Sequence, residues 1–150
     1  MIIVDVTKLL NSADGRFDAH FKLSINEGEL LTLFGSSGAG KTTLMRILAG
    51  LEIPDSGFIE VDGEVWFDSK HKINLPPQKR SVGFVFQDYA LFPTMSVKEN
   101  LLFAATDKSQ HAYIDTLLEM TELTSFAPQL PSTLSGGQKQ RVALARALVR

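Results

Sequence analysis

The sequence predicts an α/β fold built around a glycine-rich loop, and three observations predict it. Leu30 to Phe34 is a compact apolar run of the kind buried inside a parallel sheet. It leads directly into Gly35-Ser36-Ser37-Gly38-Ala39-Gly40-Lys41-Thr42, which is followed by a helical pattern. Strand patterns dominate up to about Gln87 and helix patterns thereafter, so Gln87 to Pro93 is the expected boundary between a part spanning about 1–87 and a part spanning about 88–150. Composition allows a globular domain, since a chain of 150 residues buries about 68–70% of its unfolded surface. Charged residues at 21% and hydrophobic residues at 44% exclude disordered, collagen-like and coiled-coil classes. A net charge of −2 gives no basic excess for nucleic acid. The absence of cysteine excludes disulfide scaffolds, zinc fingers and thiol catalysis. No apolar run reaches the ~20 residues of a membrane helix, and Met1 to Val6 lacks the basic segment of a secretory signal. A soluble protein is expected, and such a protein can still serve a membrane.

Ile2 to Val6 reads as a short strand, and Asn11 to Arg16 as a turn with Asp14-Gly15 as its hairpin signal. Phe17, Ala19, Phe21, Leu23 and Ile25 alternate with polar residues, the period of a half-buried strand. Glu27-Gly28 turns the chain into Leu30 to Phe34. Thr42 to Gly50 is a helix ended by glycine. Phe58 to Asp62 and Val65 to Phe67 flank Asp62-Gly63, a second hairpin, and Lys70 to Arg80 is a polar connection. Val82 to Phe86 is another apolar strand candidate. Ser96-Val97-Lys98-Glu99 is a capping box opening a helix to Ala105. Helices are also expected over about Ser109 to Leu123 and Ser135 to Arg150.

The loop fits G-x-x-x-x-G-K-[ST] between a strand and a helix. Its glycines let backbone N–H groups turn inward as an anion nest, and the helix beginning near Lys41 adds its positive dipole end. Lys41 can reach the β- and γ-phosphates of a nucleotide, and the Thr42 hydroxyl can bind Mg²⁺. A glycine-serine loop before a helix is the plain alternative, but chance supplies the whole match about once in 200 such chains.

Gln87 follows the apolar run Val82 to Phe86. Beyond the end of a parallel strand its amide would face metal and γ-phosphate; taken alone, a glutamine there is more often simply solvated. Leu134-Ser135-Gly136-Gly137-Gln138 opens the last helix with a Ser-x-x-Gln capping box. Two glycines in a first turn weaken a helix by up to ~1 kcal/mol each. They also bare its first N–H groups to an anion.

Together, GSSGAGKTT (Gly35 to Thr43), Gln87 and LSGGQKQRVALARAL (Leu134 to Leu148) resemble the nucleotide-binding domains of ATP-binding cassette transporters. The resemblance spans nearly the whole chain. It implies a P-loop NTPase with a RecA-like core, an antiparallel β-subdomain and a helical subdomain. It implies ATP and Mg²⁺ as ligands, with Gly35, Ser36, Ser37, Gly38, Ala39, Gly40, Lys41, Thr42, Thr43 and Gln87 of one subunit facing Leu134, Ser135, Gly136, Gly137 and Gln138 of a second in a head-to-tail dimer. Lys41, Gln87 and Ser135 are the catalytic candidates, and Thr42 and Gln87 the metal candidates. The run Leu75 to Pro93 is similar to importers of molybdate, sulfate, iron, polyamines or maltose, with molybdate favoured. In that branch Tyr89, Ala90, Leu91, Phe92, Pro93 and Met95 would form an apolar groove for a permease helix at the cytoplasmic membrane face; packing within the subdomain is the alternative use of Leu91, Phe92 and Met95.

The family pattern continues beyond the signature with a strand ending in Asp-Glu and a later switch histidine, none of which these residues contain. The general base is therefore absent; Asp88 occupies another place, and His20, His71 and His111 all precede the signature. The sequence thus leads to the expectation of an incomplete fold: a fragment of a longer ATPase, unstable or self-associating and inactive alone. Leu10 stands where the family usually stacks an aromatic on adenine, leaving Phe17 as a substitute or as strand core. Competing readings are a soluble cassette protein of DNA repair or translation, a small-molecule kinase, and a non-hydrolytic truncated product. The short Gln87–Ser135 spacing opposes the first, since those proteins usually carry insertions there, and the signature opposes the second.

Overall fold

The computed structural model describes residues 1–12 and 15–149, gathered into two compact units, Met1–Arg80 and Ser81–Arg150. This division falls ahead of the composition shift at Gln87 to Pro93.

In the first unit, β1 (Ile2–Ser12) and β2 (Gly15–Ile25) pair antiparallel from Ile2↔Ile25 to Ser12↔Gly15. β1 is twice as long as Ile2 to Val6 suggested, so the expected turn from Asn11 to Arg16 is mostly strand; its residues Ala13 and Asp14 lie outside the described residues. The stretch beyond Thr7, Lys8-Leu9-Leu10-Asn11-Ser12, carries no alternation, yet it pairs because β2 supplies a ladder along its whole length. β3 (Ser56–Val61), β4 (Glu64–Asp68) and β5 (Ile73–Asn74) complete an antiparallel sheet of order β2-β1-β3-β4-β5. The β3–β4 turn is Asp62-Gly63, with φ of 50° and 84°, as a two-residue hairpin of the primed type requires. At Gly57, with φ 116°, an added Cβ would lie 2.1 Å from the Asp5 carbonyl oxygen, so only glycine lets β3 lie this close to β1. Val4, Val6, Ala19, Ile59, Trp66 and Phe67 are buried, as are Leu44 and Ile47 of α1 (Lys41–Leu48).

The expected parallel strand Leu30 to Phe34 does not form. Its main chain is irregular, and Leu30 and Phe34 are 91% and 90% exposed. A strand of that kind is buried only between ladder neighbours on both sides, and no strand of the described residues pairs with it.

The second unit carries α2 (Val97–Ala104), α3 (His111–Met120) and α4 (Gly136–Leu148). Val97, Leu101, Ile114, Leu117, Leu123, Leu134, Val142, Ala145 and Val149 form its core. Val82 to Phe86, expected as a strand, is likewise unpaired. Its backbone instead passes close to the end of α4: a Cβ at Gly83 would meet the Ala147 carbonyl oxygen at 2.3 Å. Phe84 and Phe86 pack edge to face at 4.8 Å. Gln87 therefore follows an irregular segment rather than a strand end. Both expected capping boxes are present. Ser96 Oγ accepts from the Glu99 N–H while the Glu99 carboxylate accepts from the Ser96 N–H, and that N–H, followed by the Ser96 hydroxyl, holds the carboxyl below its ordinary value.

Candidate functional site

In the first unit, Gly35 to Thr43 forms a tight loop running into α1. Gly38 and Gly40 take φ of 82° and 85°, which L side chains rarely adopt. Gly40 is also hemmed in, because a Cβ there would approach Leu10 Cδ1 at 2.7 Å and Phe21 Cζ at 2.8 Å. Lys41 Nζ bends back over the loop and donates to the carbonyls of Gly35 at 2.8 Å and Ser36 at 2.7 Å. The ammonium is thus stationed at the loop mouth, where an anion drawn by the helix start would meet it. A cleft of about 280 Å³ opens here, lined by Ser37 to Thr43 with Leu10 and Asn11. Thr42 is exposed. Phe17 is the Cα partner of Leu10 across the hairpin but does not line the cleft.

Volume does not select the site. A larger open concavity of about 960 Å³ lies on the sheet beside Asp5, Lys22, Phe58, Asp68 and His71. It has no glycine nest and no helix start. The histidines bonded to its carboxylates serve the fold: His71, which lines it, bonds Asp68, and His20, outside the lining, bonds Asp5, and each bond holds its partner carboxyl below the ordinary range.

One residue that sequence patterns did not flag secures the loop helix from behind. Arg80 is 2% exposed. Its guanidinium donates to the carbonyls of Ile47 and Leu48 at the end of α1, to Leu75, and to Asn74 Oδ1. It lies 5.5 Å from the Trp66 ring centre. Burial pushes its pKa down, but a guanidinium remains charged at neutral pH.

In the second unit, Leu134 to Gln138 forms the start of α4. Ser135 Oγ accepts from the Gln138 N–H at 3.3 Å, and Gln138 Oε1 accepts from the Ser135 N–H at 2.7 Å. Leu134 is buried, whereas Ser135, Gly136 and Gly137 are exposed. A Cβ at Gly136 or Gly137 would meet nothing within 4 Å, and neither has a positive φ. Nothing among the described residues therefore requires glycine at either position. Gln87 is exposed in this same unit.

Two further residues that the sequence gave no sign of hold the segment after Gln87. Asn100 is wholly buried: its Oδ1 accepts from the Phe92 N–H, and its Nδ2 donates to the carbonyls of Phe92, Met95 and Ser96. Arg146 donates to the carbonyls of Tyr89 and Ala90. Arg146 is revealed only by partners 56 and 57 residues distant, and Asn100 by backbone groups four to eight residues back that no periodic pattern marks.

A glycine nest ending in Lys-Thr at a helix start, in a unit that also holds an antiparallel sheet, together with a separate helical unit, defines an ABC-type P-loop NTPase fold. The ABC transporter family profile matches residues 19–150, and the chain belongs to that family. It is 45% identical over 135 residues to the molybdenum import ATP-binding protein ModC of Vibrio parahaemolyticus, covering 90% of this chain and 36% of that protein. It is 50% identical to the spermidine/putrescine import ATP-binding protein PotA of Methylococcus capsulatus (86% and 33% covered). It is 42% identical to the sulfate/thiosulfate import ATP-binding protein CysA of Gloeobacter violaceus (99% and 42% covered). The chain thus spans 33% to 42% of the length of these curated relatives. Among solved structures, the dimeric bacterial ABC transporter cassette MJ0796 superposes with a TM-score of 0.76 at 34% identity, covering 99% of this chain and 69% of that one. The same cassette solved with ADP and phosphate also gives 0.76.

The residues present suit a nucleotide and a hard cation. Thr42 in the first unit carries a hydroxyl and Gln87 in the second carries an amide oxygen, each by itself an oxygen donor of the type Mg²⁺ takes. No cluster of three histidine or acidic side chains among the described residues could hold a metal. No helix of the described residues is long and apolar enough to cross a membrane.

Proposed function

We propose that this chain forms the phosphate-binding and signature portions of an importer's ATP-hydrolysing subunit. The observation that carries the reading is the pair Gly136 and Gly137. They weaken the start of α4, and no contact or backbone angle among the described residues calls for them. A ligand approaching from outside does, and a γ-phosphate held by a second subunit is such a ligand. In this reading the N–H groups of Ser36 to Thr43 and the Lys41 ammonium hold the β- and γ-phosphates. Ser135 to Gln138 of a second copy close over them in a head-to-tail dimer. Mg²⁺, when bound, neutralises phosphate charge, with Thr42 and Gln87 as its oxygen donors.

Tyr89, Leu91, Phe92, Pro93 and Met95 form the proposed surface for a membrane permease, which places the subunit on the cytoplasmic face. Molybdate or a related oxyanion is the proposed cargo class; the resemblance of Leu75 to Pro93 to that importer branch supports it. We expect the 150-residue chain alone to hold nucleotide without turning it over, because these residues include no general base for the attacking water. Titration with ATP and Mg²⁺ by calorimetry, followed by co-purification with the neighbouring permease, tests the reading. Saturable ATP binding and a stable permease complex are expected; ATP binding without any permease partner would favour a soluble cassette protein.

A further inference from the structure

The carboxyl half of α4 makes a contact that phosphate binding does not use. Arg146 lies ten residues beyond Gly136, about 15 Å along the same helix. Its Nη1 donates to the Ala90 carbonyl at 2.7 Å and its Nη2 to the Tyr89 carbonyl at 2.9 Å. Tyr89 and Ala90 have φ of 63° and 43°, two consecutive non-glycine residues in the left-handed region. That conformation is unfavourable for each of them, and it aims both carbonyls at one guanidinium. The fork also stacks 5.6 Å from the Phe92 ring centre. None of the ion pairs among the described residues involves Arg146, so its charge is committed to the backbone of this loop. Asn100 holds the other end of the loop through three hydrogen bonds, two to Phe92 and one to Met95. The loop is therefore a fixed shape, gripped by α2 at one end and by α4 at the other.

We propose that Arg146 is a positioning residue that ties the signature helix to the Tyr89–Met95 loop, so that displacement of Ser135 and its glycines moves the permease-facing surface with it. The proposal rests on the importer reading above. A helix of 13 residues transmits displacement as a rigid rod only if its far end grips its target. A planar bidentate fork on two carbonyls provides that grip, whereas a single ammonium at the same place cannot hold both in one geometry.

The test compares Arg146→Gln and Arg146→Lys with wild type in the full-length subunit, alone and assembled with its permease in vesicles. ATP affinity and hydrolysis by the subunit alone should stay at wild-type levels in Arg146→Gln. Permease-stimulated hydrolysis should fall about tenfold, within the usual range of coupling between sites, and Arg146→Lys should lie between. An equal fall in stimulated and unstimulated rates would mean a merely structural role and would overturn the proposal, as would no change in either. Should Arg146→Gln not fold, Arg146→Lys carries the same comparison. A wild type showing no permease stimulation would overturn the importer reading, and the proposal with it.

Discussion

Arg80 Nη1 donates to the Ile47 carbonyl at 2.7 Å, so a buried guanidinium closes the end of the helix whose start carries Lys41. The last carbonyls of a helix have no partners within it, and here a side chain 33 residues distant supplies them. Arg80→Met keeps the apolar stem but strands the carbonyls of Leu48 and Leu75, while that of Ile47 keeps the Gly50 N–H as a partner. We expect a loss of about 3 kcal/mol, since each unsatisfied buried acceptor costs roughly 1–3 kcal/mol. Urea denaturation reads it; a midpoint unchanged from wild type would show that water replaces the guanidinium freely.

Lys41→Ala leaves the loop glycines and α1 intact, because among the described residues the Lys41 ammonium bonds to carbonyls at the loop mouth. Thermal stability should change little. Nucleotide affinity should fall about tenfold or more, as expected for losing a charge-assisted bond worth roughly 1.5–3 kcal/mol. Calorimetry with ATP separates the two effects, and wild-type affinity in the variant would remove Lys41 from the site.

The helical half of the fold was legible because its signals are local. Ser96 with Glu99 and Ser135 with Gln138 announce helix starts that the structure reproduces bond for bond. Asp62-Gly63 likewise announces its hairpin. Leu30 to Phe34 and Val82 to Phe86 misled because an apolar run records a tendency to be buried, not the strand that would bury it. Their ladder partners are non-local, and the described residues supply none. Arg80, Asn100 and Arg146 were illegible for a related reason. Each is a polar residue whose meaning lies in backbone carbonyls that the fold brings to it.

The sheet should lose stability in acid. His71 above all, with the N–H groups of His71 and Lys70, holds the Asp68 carboxyl below its ordinary value. A carboxyl depressed in the folded state contributes stability above its unfolded pKa, near 4. That contribution is lost as pH falls through the folded value. The denaturation midpoint should therefore drop below about pH 4. Asp68→Asn should show a shallower acid decline, and an identical slope in both proteins would deny Asp68 that role.

Gly136→Ala and Gly137→Ala should each stabilise the helical unit, by up to about 1 kcal/mol, because alanine favours a helix and meets open space there. The same variants should lower ATP turnover in the assembled transporter by crowding the N–H groups offered to phosphate. Stabilised variants with undiminished turnover would mean the glycines serve no ligand.

The most direct test of the composite site is ATP turnover by Ser135→Asp in the full-length subunit assembled with its permease. Aspartate keeps the helix cap, so folding should be retained. ATP binding at the loop of Lys41 should also be retained. The new carboxylate sits where the signature helix is proposed to meet the γ-phosphate of its partner. The account predicts normal ATP binding with turnover abolished. Turnover at the wild-type rate would contradict it, because Ser135 would then have no place beside the phosphate.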